Sequence, residues 1–256
     1  MALIEQMESQ GTWLFKYRGI LPLIIFIIGA LIFLRNESDP SFWIVEGTSY
    51  EITYELGCLM VSLLGFAIRI YTVGYSANNT SGRNTERQVA DALNTKGIYS
   101  IMRNPLYVGN FFMWLGIAML TGDFWFTVSF ILFYFLYYER IIFTEEQFLR
   151  KKFGETYLLW AASTPVIVPQ FKSFIKSDNE FSWKKVLRQE KNGFAALFLI
   201  FCVFDISGEL VKGERHYNEV LLIAGSISVV VYLVLKFLKY NTSILQEKPP
   251  AEFRGE

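Results

Sequence analysis

Two apolar runs, residues 106–121 and 124–143, are separated only by Gly122 and Asp123. A helix that crosses a bilayer needs about 20 mostly apolar residues. Two such helices joined by so short a connection can only fold back antiparallel. Their far ends, near Asn104 and Thr144, must then lie on the same face of the membrane. Whatever polar chemistry flanks those ends is drawn together.

The rest of the chain fits the same solvent. Four further apolar runs lie at about residues 19–34, 56–73, 193–210 and 220–239, and the first can be extended back through Trp13, Leu14 and Phe15. No small-x-small cleavage pattern follows the first run, so it reads as a retained span rather than a signal peptide. The chain is 52% hydrophobic and 17% aromatic, with a mean hydropathy of +0.30. Only 19% of its residues are charged, against about 25% in soluble domains. The expected fold class is therefore all-α integral membrane, with about six transmembrane helices. Lys and Arg set the expected orientation. Segments 1–19, 74–104, 144–192 and 236–256 hold 2, 4, 9 and 4 of them, against three (Arg35, Lys212, Arg215) in the alternate loops. Both termini and the two large loops are expected in the cytoplasm.

Several function classes drop out. The 24 basic and 24 acidic residues cancel, which gives no electrostatic footprint for nucleic acid. Cys58 and Cys202 are far apart and form no CxxC pair, and His216 is the one histidine, so no metal partner is expected. Residues 170–192 are basic with interleaved Phe171, Phe174, Phe181 and Trp183, which reads as a juxtamembrane segment on anionic headgroups. Asp205 and Glu209, four apart near the end of the fifth run, are expected at the interface, exposed. The aromatic run from Phe130 to Tyr138 reads as lipid-facing and helix-packing surface. Three segments organise the chain: a transmembrane pair in 1–75, the hairpin with its flanks in 76–170, and a basic segment with a second pair in 171–256.

The informative stretch begins Gly97-Ile98-Tyr99-Ser100-Ile101-Met102-Arg103-Asn104-Pro105-Leu106-Tyr107-Val108-Gly109. After the hairpin come Thr144-Glu145-Glu146, then Phe153-Gly154-Glu155-Thr156-Tyr157, with Pro165 and Pro169 closing. Pro105 suits the first turn of a helix, where its missing N–H costs nothing. Arg103 and Asn104 then lie just outside the third run. The hairpin brings Arg103, Asn104 and Tyr107 towards Arg140, Glu145 and Glu146. Spacing alone leaves two readings open: a reactive site, or interfacial anchors with a structural ion pair.

This ordered set resembles the isoprenylcysteine carboxyl methyltransferase and phospholipid methyltransferase superfamily of integral-membrane enzymes. It resembles that superfamily over roughly 75 residues. The family pattern is Gly-x-Tyr, Arg-His-Pro-x-Tyr-x-Gly, a membrane hairpin, a paired-Glu segment and Phe-Gly-x-x-Tyr. Asn104 stands where the family usually has His. Asn can donate and accept hydrogen bonds but does not titrate near pH 7.

The resemblance implies S-adenosylmethionine as cofactor. It places Tyr99, Asn104, Pro105, Tyr107 and Glu145 at the cofactor, with Asp91 and Asn94 upstream at spacings where relatives make cofactor contacts. It implies catalytic roles for Arg103, Arg140 and Glu146, although Arg140 is one position out of the family register. The implied partner is a membrane lipid or lipid-linked substrate. Carboxylate and phosphate acceptors are already anionic at pH 7, whereas an amine must first lose a proton. With no histidine in the stretch, the expected activity is O-methylation of an anionic lipid. Arg83 and Arg87 would hold its head, and Glu145 or Glu146 remains available as a base for an amine. A lipid phosphate, as in the bacterial lipid A branch, is expected first, then an isoprenylcysteine carboxylate, then a phospholipid amine. Two alternatives stand beside this: an NADPH-dependent sterol or steroid reductase, and a non-catalytic membrane scaffold.

Overall fold

The computed structural model describes residues 2–39, 48, 50–77, 88 and 90–246, with the side chain of Leu21 left out. Arg83 and Arg87 lie outside the described residues. The described chain is all helical, apart from an isolated bridge between Gly97 and Ile175. The helices are α1 (Leu3–Lys16), α2 (Leu21–Ser38), α3 (Glu51–Tyr75), α4 (Pro105–Leu120), α5 (Phe124–Phe153), α6 (Glu155–Ser163), α7 (Trp183–Lys212) and α8 (Glu219–Asn241). Among the described residues, α3, α5, α7 and α8 are long and apolar enough to cross a membrane, and α4 is a shorter apolar helix. Together with α2, these helices coincide with the six apolar runs.

The hairpin forms as its sequence requires. Gly122 takes a positive φ of 69°, where a side chain would be strained, and its N–H bonds the Met119 carbonyl at 2.9 Å. Asp123 then caps α5 by accepting from the Phe126 N–H at 2.6 Å. At the other end of α4, Pro105 occupies the first turn.

Helix α4 packs most intimately on α3, across small residues. A Cβ on Gly65 would strike the Gly109 carbonyl, and one on Gly116 would strike the Cys58 carbonyl and Ser62 Oγ. Ser62 Oγ donates to the Met113 carbonyl at 2.8 Å across this seam. Where lipid tails are as apolar as leucine, such close approach drives helix association. One apolar core (Phe33, Cys58, Leu59, Phe66, Phe201, Phe204) joins α2, α3, α4 and α7. A second joins α1, α4 and α5 through Phe15, Phe130, Tyr134, Tyr138 and Ile141. The aromatic run on α5 thus divides by face: Phe130, Tyr134, Tyr137 and Tyr138 are buried, and Phe133 and Phe135 are exposed.

Three expectations need correction. The backward extension of the first run is a separate helix: α1 ends at Lys16, residues 17–20 form turns, and α2 starts at Leu21. Lys16, Arg18 and Gly19 interrupt the apolar pattern at this point, and Pro22 falls in the first turn of α2, where its missing N–H costs nothing. Glu209 is buried rather than exposed, because it accepts from the His216 N–H at 2.7 Å, while Asp205 accepts from the Asn218 N–H at 3.1 Å. Both carboxylates brace the α7–α8 connection. The basic 170–192 segment is only partly a solvated face. Phe171, Phe174 and Trp183 are exposed, but Lys185 is fully buried. Its Nζ donates to the Ser76 carbonyl (2.6 Å), Ser76 Oγ (3.0 Å) and the Ala77 carbonyl (2.9 Å), which satisfies the end of α3.

Candidate active site

The segment after α6 braces the residues that lead into α4. It runs back along residues 97–104: Arg103 N–H bonds the Pro165 carbonyl (2.9 Å), Asn104 N–H the Val166 carbonyl (3.2 Å), and Gln170 N–H the Ile101 carbonyl (2.9 Å). The two prolines of the motif thus sit in the irregular run whose carbonyls fix the start of α4.

Beside the start of α4 lies a cavity of about 620 Å³, within the span of about 300–1,000 Å³ usual for small-molecule sites. Of the expected residues, Tyr99, Arg103, Asn104, Pro105, Tyr107 and Glu145 line it. Tyr107 packs against Tyr138 with tilted rings and centroids 4.7 Å apart, and its hydroxyl sits beside the Glu145 carboxylate. Burial, and then the charge of Glu145, pushes the Tyr99 phenol up, so it meets the cavity as a neutral hydroxyl. The Asn104 amide donates to the Val166 carbonyl at 3.2 Å.

Arg103 is heavily engaged. Its guanidinium grips Glu146 through Nε (2.9 Å) and Nη2 (3.2 Å), and Nη1 donates to the carbonyls of Ala161 (2.6 Å) and Thr164 (2.8 Å). This fork ties the start of α4 to α5 and to the end of α6. Tyr157 is buried nearby, and burial and then the Glu146 charge push its phenol up. The pairing matches the structural half of the two open readings for these residues.

Other expected residues fall elsewhere. Glu146 is spent on Arg103 and does not line the cavity. Arg140 pairs with its neighbour Glu139 at 2.8 Å, and it too is outside the lining. Asp91 is exposed. Asn94 accepts from the Ala77 N–H at 3.2 Å and so ties down the chain after α3.

The structure also brings in residues that spacing did not offer. Arg69 of α3 holds Glu190 of α7 bidentately (Nε 2.8 Å, Nη2 2.7 Å) and donates to Asn110 Oδ1 of α4 at 2.6 Å. All three line the cavity. Arg18, in the turn between α1 and α2, reaches Glu145 with Nη1 at 3.7 Å. A charged residue inside an apolar run, such as Arg69, was the one signal available for this group.

Residues 52–156, from the first turn of α3 to the first turn of α6, match the family model for phospholipid methyltransferase. The chain is 34% identical over 128 residues to the protein-S-isoprenylcysteine O-methyltransferase of Schizosaccharomyces pombe, a stretch covering 47% of this chain and 54% of that protein. The matched region is thus similar to the isoprenylcysteine carboxyl methyltransferase and phospholipid methyltransferase superfamily. The chain is also 30% identical over 154 residues to the cobalt-zinc-cadmium resistance protein CzcN of Cupriavidus metallidurans, covering 59% of this chain and 62% of that protein. It therefore spans between half and two thirds of the length of these curated relatives. No solved structure matches the chain. Helices α1, α2, α7 and α8 and the α1–α2 turn fall outside the superfamily match, yet Arg18 of that turn, Pro22 of α2 and Glu190 of α7 complete the cavity wall.

Proposed function

We propose that this protein is an integral-membrane methyltransferase that uses S-adenosylmethionine and acts on an anionic lipid-linked acceptor. The observation that carries the reading is the convergence of Tyr99, Asn104, Tyr107 and Glu145 on one cavity inside the superfamily region. These residues suit the cofactor: Glu145 offers a carboxylate to a ribose hydroxyl or a positive charge, Asn104 an amide, and the tyrosines aromatic walls. When bound, the cofactor supplies an activated methyl group on a sulfonium.

The chain's own residues supply position and electrostatics. Proximity and orientation alone are worth about 7–11 kcal/mol of a barrier. Arg103 and Glu146 hold the ends of the hairpin in register, so Tyr107 on α4 and Glu145 on α5 face each other across the site. Apolar residues Pro22, Trp114, Ile117 and Leu197 continue the cavity away from the charged end, and this surface suits a lipid tail and excludes water. With both termini and the motif end in the cytoplasm, a polar cofactor enters from that side and the lipid from the bilayer. Among anionic acceptors a lipid phosphate ranks first and an isoprenylcysteine carboxylate second, since neither requires deprotonation at pH 7.

The test is transfer of labelled methyl from S-adenosylmethionine by the detergent-purified protein. Phosphatidic acid, N-acetyl-S-farnesylcysteine and phosphatidylethanolamine serve as acceptors. Label in either anionic acceptor supports the reading, released by mild base from the carboxyl methyl ester and retained on the phosphate diester. Label only in phosphatidylethanolamine overturns the anionic assignment, and label in none, with no cofactor bound, overturns the activity.

A further inference from the structure

Glycines in the apolar helices are of different kinds. At Gly65, Gly109, Gly116 and Gly225 a Cβ would strike a neighbouring atom, so these glycines let helices touch. Gly193 of α7 does something else. A Cβ there would meet only ordinary contacts: Glu190 Oε2 at 3.6 Å, Met113 Cε at 3.7 Å and Phe66 Cε2 at 3.9 Å. Close packing does not require this glycine, and a glycine inside a helix lowers its stability. What its missing side chain leaves open is the cavity, which Gly193 and Met113 both line.

The cavity follows one face of α4 and one face of α7. Tyr107, Asn110, Met113, Trp114 and Ile117 recur at helical spacing on the first, and Gly193, Ala196, Leu197 and Ile200 on the second. Tyr107 and Ile117 are separated along the α4 axis by a rise of about 15 Å. The hydrocarbon core of a bilayer is about 30 Å thick, so one lipid chain in its own leaflet reaches about 15 Å. Slot and chain match in length. The far end is closed. Phe204 of α7 packs on Phe26 and Phe33 of α2, with ring centroids 5.9 Å and 4.7 Å apart, and Ile117, Leu197 and Phe201 are buried in the same core. One turn before that contact, on the side of the motif, Pro22 of α2 and Ala196 of α7 both line the cavity, and Ala196 is exposed. The slot therefore has a side opening between these two helices.

We infer that the slot between α4 and α7 holds one hydrocarbon chain of the acceptor lipid, which enters sideways between α2 and α7, and that the bare backbone of Gly193 sets the chain length admitted. The inference rests on the methyltransferase reading and adds to it a chain-length determinant on a helix outside the superfamily match. A side chain at position 193 would project into the slot opposite Met113, about 9 Å along α4 from Tyr107. A short chain stops before this point, and a longer one meets it.

The experiment measures binding rather than turnover, with S-adenosylhomocysteine present so that no reaction occurs. N-acetyl-S-geranylcysteine is compared with N-acetyl-S-farnesylcysteine, and octanoyl with palmitoyl lysophosphatidic acid, all as monomers. The two series cover both anionic heads, and the gain from short to long chain is read in whichever series binds. S-adenosylmethionine affinity is measured on each variant. Each buried methylene is worth roughly fourfold in affinity, so wild type should gain about tenfold or more. Gly193→Leu should keep short-chain and cofactor affinity within about threefold and lose the gain. Gly193→Val should lose part of it. Leu199→Phe, at an exposed position of α7 that does not line the cavity, should keep all of it. A gain kept in full by both Gly193 variants, or absent from wild type in both series, overturns the inference. So does a gain lost equally in Leu199→Phe, because bulk anywhere on α7 would then act through packing. If Gly193→Leu no longer holds the cofactor, Gly193→Val decides by the same criterion. A wild type that binds no S-adenosylmethionine fails the methyltransferase reading instead.

Discussion

The Arg69–Glu190 pair joins α3, inside the superfamily region, to α7, outside it, and its energetic weight follows from burial. Glu190 is 3% exposed and Arg69 18%, and Asn110 completes the network from α4. Removing one partner of a buried ion pair strands the other charge, at a cost of about 3–5 kcal/mol. For a chain of this size each kilocalorie lowers Tm by about 2–4 °C, so Arg69→Met and Glu190→Leu should each lose about 6–20 °C. The double variant strands no charge. It leaves the Asn110 amide short of its Arg69 partner, at about 1–3 kcal/mol. Its Tm should therefore lie between wild type and the single variants. Cys58 and Cys202 are free and buried, so a maleimide dye that fluoresces on reaction with thiols reads unfolding directly. A double variant less stable than either single one, or single variants within 2 °C (about 1 kcal/mol) of wild type, would refute the reasoning.

Three further predictions use the same purified protein. Gly109→Leu must displace the Gly65 carbonyl and the stem of Arg69, and it should lose about 1–3 kcal/mol or more in the thiol-dye melt; an unchanged Tm would contradict the close α3–α4 seam. Asp123→Ala removes the 2.6 Å cap at the hairpin turn and should lose about 0.5–2 kcal/mol, whereas no loss would mean that the cap is not made. Asn104→His should keep S-adenosylmethionine affinity within tenfold by calorimetry; loss of binding in a folded variant would count against matching this position to the superfamily histidine.

The hairpin was legible because its cause is local. A connection this short admits one arrangement, and Pro105 and Asp123 mark the helix starts by their own chemistry. Convergence of Arg103 with Glu146, and of Tyr107 with Glu145, followed from that topology. Arg18 and Glu190 were not legible in the same way. Arg18 reaches the site because the chain breaks at residues 17–20, between two apolar stretches that read as one extended run. Glu190 does so because α7 docks against α3 from 121 residues away. No spacing rule reports such a contact. Arg140 shows the converse: sequence proximity to the paired glutamates placed it near the site, but its position on α5 pairs it with Glu139.

The most direct measurement is calorimetric titration of the detergent-purified protein with S-adenosylmethionine, with NADPH as control and Glu145→Ala as the variant. The account predicts saturable binding of S-adenosylmethionine that Glu145→Ala greatly weakens, and no binding of NADPH. Binding of NADPH instead, or of neither ligand by a protein shown to be folded by its thiol-dye melt, would contradict it.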